Sequence, residues 1–263
     1  MVDWGFSGVG LLVGFAVGAT GVGGGSLMTP LLILVYGVAP TVAVGTDLVF
    51  ATLSKSFAAS LLGRRQAVDW PLVGWLAAGS VPASVTSLWA VHTWLPPASQ
   101  SALIQSVLSV AIVLTAAFML VQGPVMRRLN GHGRGWHWSP RQQRACTVAV
   151  GAVIGVLVSL SSVGAGAIGL ALLMFLYPRH DVVRLIGSDL VHAVLVTAIA
   201  GAGHLATHSV DGSMLVALLL GAVPGIWLGT RVALRLRDGA LRHSIAAVLL
   251  IVGVTTLAHA ATR

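Results

Sequence analysis

The stretch GATGVGGGS, residues Gly18–Ser26, interrupts the first apolar segment of the chain and decides how the fold is interpreted. Five of its nine residues are glycine, and each glycine in a helix interior costs about 1 kcal/mol relative to alanine. Lipid offers no hydrogen bonds to an open backbone, so irregular structure at membrane depth must be buried in protein or line a wet cavity. The stretch therefore predicts a broken membrane helix whose break has a function.

Composition places the chain among membrane proteins. It has 263 residues, of which 56% are hydrophobic and 8% are charged, whereas soluble domains contain about 25% charged residues. Apolar runs, most of them long enough to cross a bilayer, lie at 5–36, 41–62, 71–91, 101–122, 145–177, 182–205, 213–235 and 241–260. We therefore predict an all-α polytopic membrane protein embedded in the lipid bilayer.

The same residues argue against several other classes. The N-terminal MVDWGFSGVG lacks the basic region of a signal peptide, and the single cysteine, Cys146, excludes an internal disulfide framework. The formal charge of +8 comes from arginines clustered in loops, where cytoplasmic retention explains them, so we expect no nucleic-acid partner. His132 and His137 alternate with Trp136 and Trp138 in a pattern that favours an interfacial belt. We expect no metal site and no cofactor.

The two halves of the chain repeat one another. GTDLVFATLSKSFAASLLGRRQAVD at Gly45–Asp69 aligns without a gap with GSDLVHAVLVTAIAGAGHLATHSVD at Gly187–Asp211, with nine identities in twenty-five positions. Further matches join Gly10, Gly14, Gly23, Gly25 and Tyr36 to Gly151, Gly155, Gly164, Gly166 and Tyr177, and GSVP at Gly79–Pro82 to GAVP at Gly221–Pro224. We infer a single transmembrane domain with repeat 1 at 1–122, a cytoplasmic loop at 123–144 and repeat 2 at 145–263.

The distribution of arginine predicts the topology. Loops 63–69, 123–144, 178–184 and 231–242 are basic, and the other connecting loops contain no lysine or arginine. Every basic loop is cytoplasmic, as the positive-inside rule requires, if each glycine-broken segment enters and leaves on one side as two half-helices that meet near the midplane. Each repeat then contains a re-entrant helix pair and three transmembrane helices, and the odd number of crossings inverts repeat 2 relative to repeat 1. Inverted repeats with broken helices recur in secondary transporters.

The two breaks form the predicted anion site. A half-helix that starts at Ser26, its predicted N-cap, presents free N–H groups and the positive end of its dipole, and the break SLSSVGAGA faces it from repeat 2. Helix packing is the alternative explanation of such glycines; it accounts for the four-residue spacing of Gly10, Gly14 and Gly18 but not for the run Gly23–Gly25. The predicted substrate-binding residues are Thr20, Gly21, Gly23, Gly24, Gly25, Ser26, Thr46, Ser161, Ser162, Gly164, Gly166 and Ser188.

Ionisable residues within the apolar segments predict proton coupling or charge compensation. Asp47 and Asp189 occupy equivalent positions in the two repeats, although capping of a helix N-terminus would also explain an aspartate. Lys55 could pair with a carboxylate or attract an anion. His192 lies one turn after Asp189, where the two side chains can touch, and histidine titrates near physiological pH. The Asp189–His192 pair is therefore a candidate proton carrier.

Two further function classes remain open from the residues alone. An intramembrane hydrolase could use the two aspartates as a carboxylate dyad, but an inverted pair of glycine loops has no evident role in hydrolysis, so we expect a protein that is not an enzyme. An anion channel could use the same basic lining and opposed half-helices. A channel would conduct its ion without a coupled proton, whereas a transporter would saturate.

Three stretches of the chain resemble the sulfite exporter TauE/SafE family, also called the toluene-sulfonate uptake permease family. They are GATGVGGGSLMTPLLIL with AVGTDLVFATLSKSFAAS, the echo SSVGAGAIGLALLMFLY with LIGSDLVHA, and GAVPGIWLGTRVALRL. The resemblance places the family's glycine-loop signature on Gly21, Gly23, Gly24 and Gly25, with a weaker second copy on Gly164 and Gly166. In that second copy Ala165 replaces the middle glycine, and Ala171 stands where the first copy has Pro30.

The resemblance implies a multi-pass permease of the bacterial inner membrane for small sulfur-containing oxyanions such as sulfite, thiosulfate or organosulfonates. It also implies secondary transport driven by the proton gradient, with a small anionic substrate and protons as the partners. The residues do not distinguish import from export, or a monomer from a homodimer.

Overall fold

The structure, a computed structural model, describes residues 4–20, 25–62, 68–131, 139–164, 166–178 and 180–233. Regular structure in these ranges is entirely α-helical. The helices in chain order are α1 (Trp4–Thr20), α2 (Gly25–Leu34), α3 (Pro40–Leu62), α4 (Trp70–Trp94), α5 (Pro97–Gly131), α6 (Pro140–Ser161), α7 (Ala167–Leu176), α8 (Val182–Ala206) and α9 (Gly212–Ala233). The predicted apolar segment 241–260 lies outside the described residues.

In the described part of the chain, four helices are long and apolar enough to cross a membrane: α4, α6, α8 and α9. In α4, Trp70 and Trp94 lie at opposite ends and are both exposed, about 36 Å apart at the rise of an α-helix. That separation matches the two interfacial belts in which tryptophan accumulates on either side of the hydrocarbon core. The predicted all-α membrane class is confirmed.

Helix starts follow the usual rules of capping. Asp69 and Asp181 cap α4 and α8 by accepting hydrogen bonds from the backbone at Leu72 and Val183. Ser139 and Gln142 form a reciprocal capping box at the start of α6, and Pro140 takes the first helical position.

The connection predicted at 123–144 is shorter in the structure. Helix α5 continues to Gly131 and α6 already begins at Pro140, so much of the segment predicted as a loop is helical. The capping box and the proline at 139–142 start α6 before its apolar run begins.

Both glycine-broken segments are hairpins that begin and end at the same end of the bundle. In the first, the rings of Phe6 in α1 and Tyr36 after α2 lie 4.7 Å apart. In the second, the equivalent positions Thr147 and Tyr177 are joined by a hydrogen bond of 2.8 Å between their hydroxyl groups. The arms are unequal, however, since α6 has 22 residues and α7 has 10. The prediction of two half-helices meeting near the midplane therefore fits the short arms α2 and α7 only.

The long arms have a packing reason for their length. Gly10, Gly14 and Gly18 of α1 lie directly against the backbone of α9, and Gly151 and Gly155 of α6 lie in the same way against α4. Small residues allow helix backbones to approach closely in a membrane, and the packing explanation of the four-residue glycine spacing is confirmed. Each long arm, α1 or α6, thus packs along the fourth helix of the other repeat.

The equivalent helices α3 and α8 lie side by side and run in opposite directions. The Thr52 and Thr197 hydroxyls are 3.0 Å apart, whereas Gly45, nearer the start of α3, faces His204 and Ser209 at the end of α8. Opposite directions in equivalent helices are what an inverted arrangement of the repeats predicts.

Candidate functional site

Buried polar side chains gather where α3 and α8 pass the short helices α2 and α7. We call Thr29, Asp47, Lys55, Ser162, Asp189 and His192 the intramembrane polar cluster; each of them is at most 6% exposed. Burial of so many polar groups is costly unless they are paired or serve a function. The cluster therefore marks the candidate site.

Asp47 lies well inside α3, beside the short helix α2. Thr29 of α2 donates a hydrogen bond of 2.5 Å to Asp47 Oδ2. The Ser162 hydroxyl is close to the same carboxylate, although their geometry falls short of a hydrogen bond. Asp47 Oδ1 and Ser162 Oγ have no hydrogen-bond partner within the described part of the chain. Two buried polar atoms of different repeats thus lie close together, each without a hydrogen-bond partner among the described residues.

Asp189 holds the equivalent place in α8, beside the short helix α7. A Cβ at Gly169 would lie 2.5 Å from Asp189 Oδ1, so the absence of a side chain at Gly169 lets α7 approach the carboxylate. Like Asp47, Asp189 is in a helix interior, and the N-cap of α8 is Asp181. The alternative that Asp47 and Asp189 serve as helix caps is therefore wrong.

Lys55 lies between the two carboxylates in the helix α3. Its side chain is 5% exposed, and its charge interacts with both Asp47 and Asp189 as well as with His192. A buried ammonium group so placed is the positive charge that an anion entering the cluster would meet.

His192 has a different partner from the one predicted. Its Nε2 is 2.9 Å from Ser80 Oγ of α4, and its Nδ1 has no hydrogen-bond partner among the residues that the structure describes. His192 forms no hydrogen bond with Asp189, because the imidazole turns toward α4. His192 still belongs to the cluster through its burial and the nearby charge of Lys55.

Thr46 and Ser188, predicted to bind substrate, hold the repeats together. The Thr46 hydroxyl accepts a hydrogen bond of 3.0 Å from the backbone N–H of Asp211, and the Ser188 hydroxyl accepts one of 2.9 Å from the backbone N–H of Asp69. Thr46 corresponds to Ser188 in the repeat, and Asp69 corresponds to Asp211. Each bond therefore links one repeat to the other through equivalent atoms. They secure the starts of α9 and α4 against the helices that carry the aspartates.

In the second break, two glycines adopt backbone conformations that other residues rarely adopt. Gly164 and Gly166 have φ angles of +116° and +126°, which side chains rarely tolerate. The Ser161 hydroxyl accepts from the N–H of Val163 at 3.2 Å, and Ser162 adopts the left-handed conformation with φ of 59°. The helix α7 then starts after Gly166 without a hydrogen bond from a capping side chain.

The first break lies mostly outside the described residues. Gly21, Gly23 and Gly24 belong to that undescribed segment, whereas Thr20 closes α1 and Gly25 opens α2. Ser26 is consequently inside the first turn of α2 and does not take the predicted N-cap position. The participation of these residues in binding stays a prediction.

Sequence reasoning missed Thr29, Ser80 and Gly169. None of them has a matching residue type in the other repeat, since their equivalents are Leu170, Ala222 and Met28, so the repeat comparison gave no signal. His204, near the end of α8, is fully buried, and its Nε2 lies 2.9 Å from the Ser159 carbonyl oxygen.

Two further observations concern other kinds of site. No group of three or more His, Cys, Asp or Glu residues in the described ranges could hold a metal ion. A cavity of about 380 Å³ lies at the far end of α2 from its start, lined by Ile33, Leu34, Gly37, Val38, Ala39, Pro40 and Gln105. This cavity contains no residue of the cluster.

Comparison with known proteins identifies the family of the chain. The sequence profile described as "Sulfite exporter TauE/SafE" matches residues 6–256. The chain belongs to the sulfite exporter TauE/SafE family. This match spans both glycine breaks and all members of the polar cluster. No solved structure matches the chain.

Relatives of this TauE/SafE protein have the same general description. It is 34% identical over 250 residues to the "Probable membrane transporter protein YjnA" of Bacillus subtilis (strain 168), which covers 94% of this chain and 96% of the relative. It is 30% identical over 241 residues to a "Probable membrane transporter protein" of Xylella fastidiosa (strain 9a5c), covering 87% and 84%. The chain is therefore a membrane transporter of the TauE/SafE family, and the prediction that it is not an enzyme is confirmed.

Proposed function

We propose that this transporter moves small sulfur-containing oxyanions, such as sulfite, thiosulfate or organosulfonates, across the bacterial inner membrane by proton-coupled secondary transport. The family description supports the substrate class. The observation that carries the proposal is the buried lysine, Lys55, between two equivalent buried carboxylates.

The anion site we propose lies between the two breaks. In this proposal the starts of α2 and α7 supply backbone N–H groups and the positive ends of their dipoles. The approach of Ser162, from the second break, to Asp47 supports a site shared by both repeats. A helix start carries only a partial positive charge, and Lys55 adds a full one.

The proton carrier we propose is the pair of aspartates. An anion that enters a cluster already holding two carboxylates adds negative charge at membrane depth, where uncompensated charge is costly. Protonation of one carboxylate removes that cost, so proton and anion bind together and cross together.

The decisive experiment uses purified protein in proteoliposomes. We expect a pH gradient to drive accumulation of labelled sulfite, thiosulfate or a sulfonate, and sulfate to serve as a comparison anion. Asp189→Asn, which keeps the shape of the side chain but cannot titrate, should lose gradient-driven accumulation and retain measurable substrate binding. Intact proton-driven accumulation in Asp189→Asn would refute the carrier role, and unsaturable flux without proton movement would identify an anion channel.

The anion site is tested by a matched pair of glycine variants. Gly24→Val places a β-branched side chain in the first break and should abolish substrate binding. The control is Gly8→Val, because a Cβ at Gly8 meets no atom within 4 Å. Normal transport by a well-expressed Gly24→Val protein would limit these glycines to a packing role.

A further inference from the structure

The two aspartates of the polar cluster are equivalent in sequence but lie at different depths. Each is the eighth residue of its helix, Asp47 in α3 and Asp189 in α8, and the two helices run in opposite directions. The contacts of Leu48 with Gly201 and of Thr52 with Thr197 fix the register, which places Asp189 level with Ser60 of α3. The carboxylates are therefore separated by about 20 Å along the bundle at 1.5 Å per residue.

Lys55 lies between these two depths. It is about 12 Å beyond Asp47 along α3 and about 8 Å short of the level of Asp189, and its long flexible stem can lean toward either. Its charge interacts with both carboxylates. The position equivalent to Lys55 in repeat 2 is Thr197, so two symmetric acids share one cation.

One cation cannot pair closely with both acids over such a distance. A buried carboxylate without a partner is strongly destabilising, so the acid that Lys55 leaves must be neutralised by a proton or exposed to water. Asp47 Oδ2 accepts a hydrogen bond from Thr29, and Asp47 Oδ1 has no hydrogen-bond partner among the described residues.

We propose that Lys55 alternates between Asp47 and Asp189 during the transport cycle, so that the carboxylate it leaves takes up the proton that accompanies the anion. Pairing with one aspartate stabilises one repeat in its closed arrangement and releases the other. The proposal deepens the function proposed above and rests on it for the identity of the anion. The alternation itself is a property of this chain's own residues.

The test compares hydrogen–deuterium exchange in the purified full-length protein without substrate. Asp47→Asn removes one partner of Lys55 and should raise exchange at residues 40–52 while lowering it at 182–194. Asp189→Asn should produce the opposite pair of changes, because the lysine then remains with Asp47. Either change should be at least about threefold in exchange rate, a small part of what breaking a buried ion pair costs. Changes in the same direction in both variants, or a change in one variant only, would overturn the proposal.

Three further variants separate alternation from a general loss of stability. Lys55→Met should abolish the reciprocity, so that adding Asp47→Asn to it no longer affects residues 182–194. Thr29→Val removes a competing hydrogen bond to Asp47, so it should shift exchange in the same direction as Asp189→Asn, and it gives the answer if Asp47→Asn fails to fold. Ser106→Ala, at an exposed serine of α5 whose hydroxyl donates to the Ala102 carbonyl of the same helix, should leave both segments unchanged.

Vesicle transport then distinguishes the two proposals. Reciprocal exchange with no flux of any sulfur anion would refute the proposed cargo and leave the alternation standing. Proton-coupled flux without reciprocal exchange would refute the alternation and leave the proposed function standing.

Discussion

Substitution of two glycines in the same helix should have different effects on stability. Gly79 and Gly74 both lie inside α4. A Cβ at Gly79 would overlap the Val148 carbonyl oxygen and lie 2.7 Å from the backbone nitrogen of Ala152, whereas ordinary contacts begin at 3.4 Å. A Cβ at Gly74 would meet no atom within 4 Å. Gly79→Ala therefore forces α4 and α6 apart by about 0.7 Å or more, and Gly74→Ala forces nothing.

The magnitude follows from two terms. Alanine gains about 0.5–1 kcal/mol over glycine in a helix interior at either position, so this term cancels when the two variants are compared. Overpacking costs about 1–3 kcal/mol and applies to Gly79→Ala alone. We expect Gly74→Ala to be stabilised by its propensity gain, and Gly79→Ala to be less stable than Gly74→Ala by about 1–3 kcal/mol.

The assay is thermal unfolding of the purified variants in one detergent, followed by tryptophan fluorescence. At about 2–4 °C per kcal/mol for a chain of this size, the melting temperatures of the two variants should differ by several degrees. Gly221→Ala, the equivalent change in the α1–α9 contact, should resemble Gly79→Ala because its Cβ would also overlap backbone. Equal melting temperatures for Gly74→Ala and Gly79→Ala would refute the close approach of α4 and α6.

Two further predictions concern topology and pH. Single cysteines placed in 123–144 and in 178–184 of a cysteine-free chain should both be labelled from the cytoplasm only, and labelling of either from outside would refute the hairpin topology. Hydrogen bonds from Met214 and Ser213 lower the pKa of Asp211 below its usual value of 3.8, so its stabilisation is complete above pH 3.8 and is lost as the pH falls through the lowered pKa. The melting temperature of Asp211→Asn should lack this acid-dependent step, and an unchanged step would assign it to another group.

Much of this fold is predictable from the sequence because it depends on residue types, such as glycine, that few other residues can replace. Glycine at four-residue spacing predicted a close helix contact, since only small residues permit it, and the structure shows that the partner is α9. The hairpins followed from segment length and arginine counts, and Phe6 with Tyr36 now shows where the first one closes. Unequal arms were not predicted, because hydropathy measures the length of an apolar run and not the position at which a helix within it ends.

The polar cluster was predictable in its charges and not in its partners. Asp47, Lys55 and Asp189 are conspicuous in apolar segments. The partner of His192 depends on a rotamer and on the approach of another helix, which spacing along α8 does not reveal. Thr46 and Ser188 were predicted to bind substrate because each precedes a buried aspartate, but spacing could not show that their hydroxyls are hydrogen-bonded to helix starts in the other repeat.

Departures from the repeat are the strongest argument for where the function lies. The helix contacts obey the duplication closely: Gly10 meets Leu218 as Gly151 meets its equivalent, Leu76. The polar cluster does not follow the duplication, because Lys55 corresponds to Thr197 and His192 to Phe50. A symmetric scaffold has two equivalent conformations, and only residues that differ between the repeats can make their energies unequal. The cluster, whose side chains the duplication did not preserve, is therefore one place where the two conformations can differ in energy.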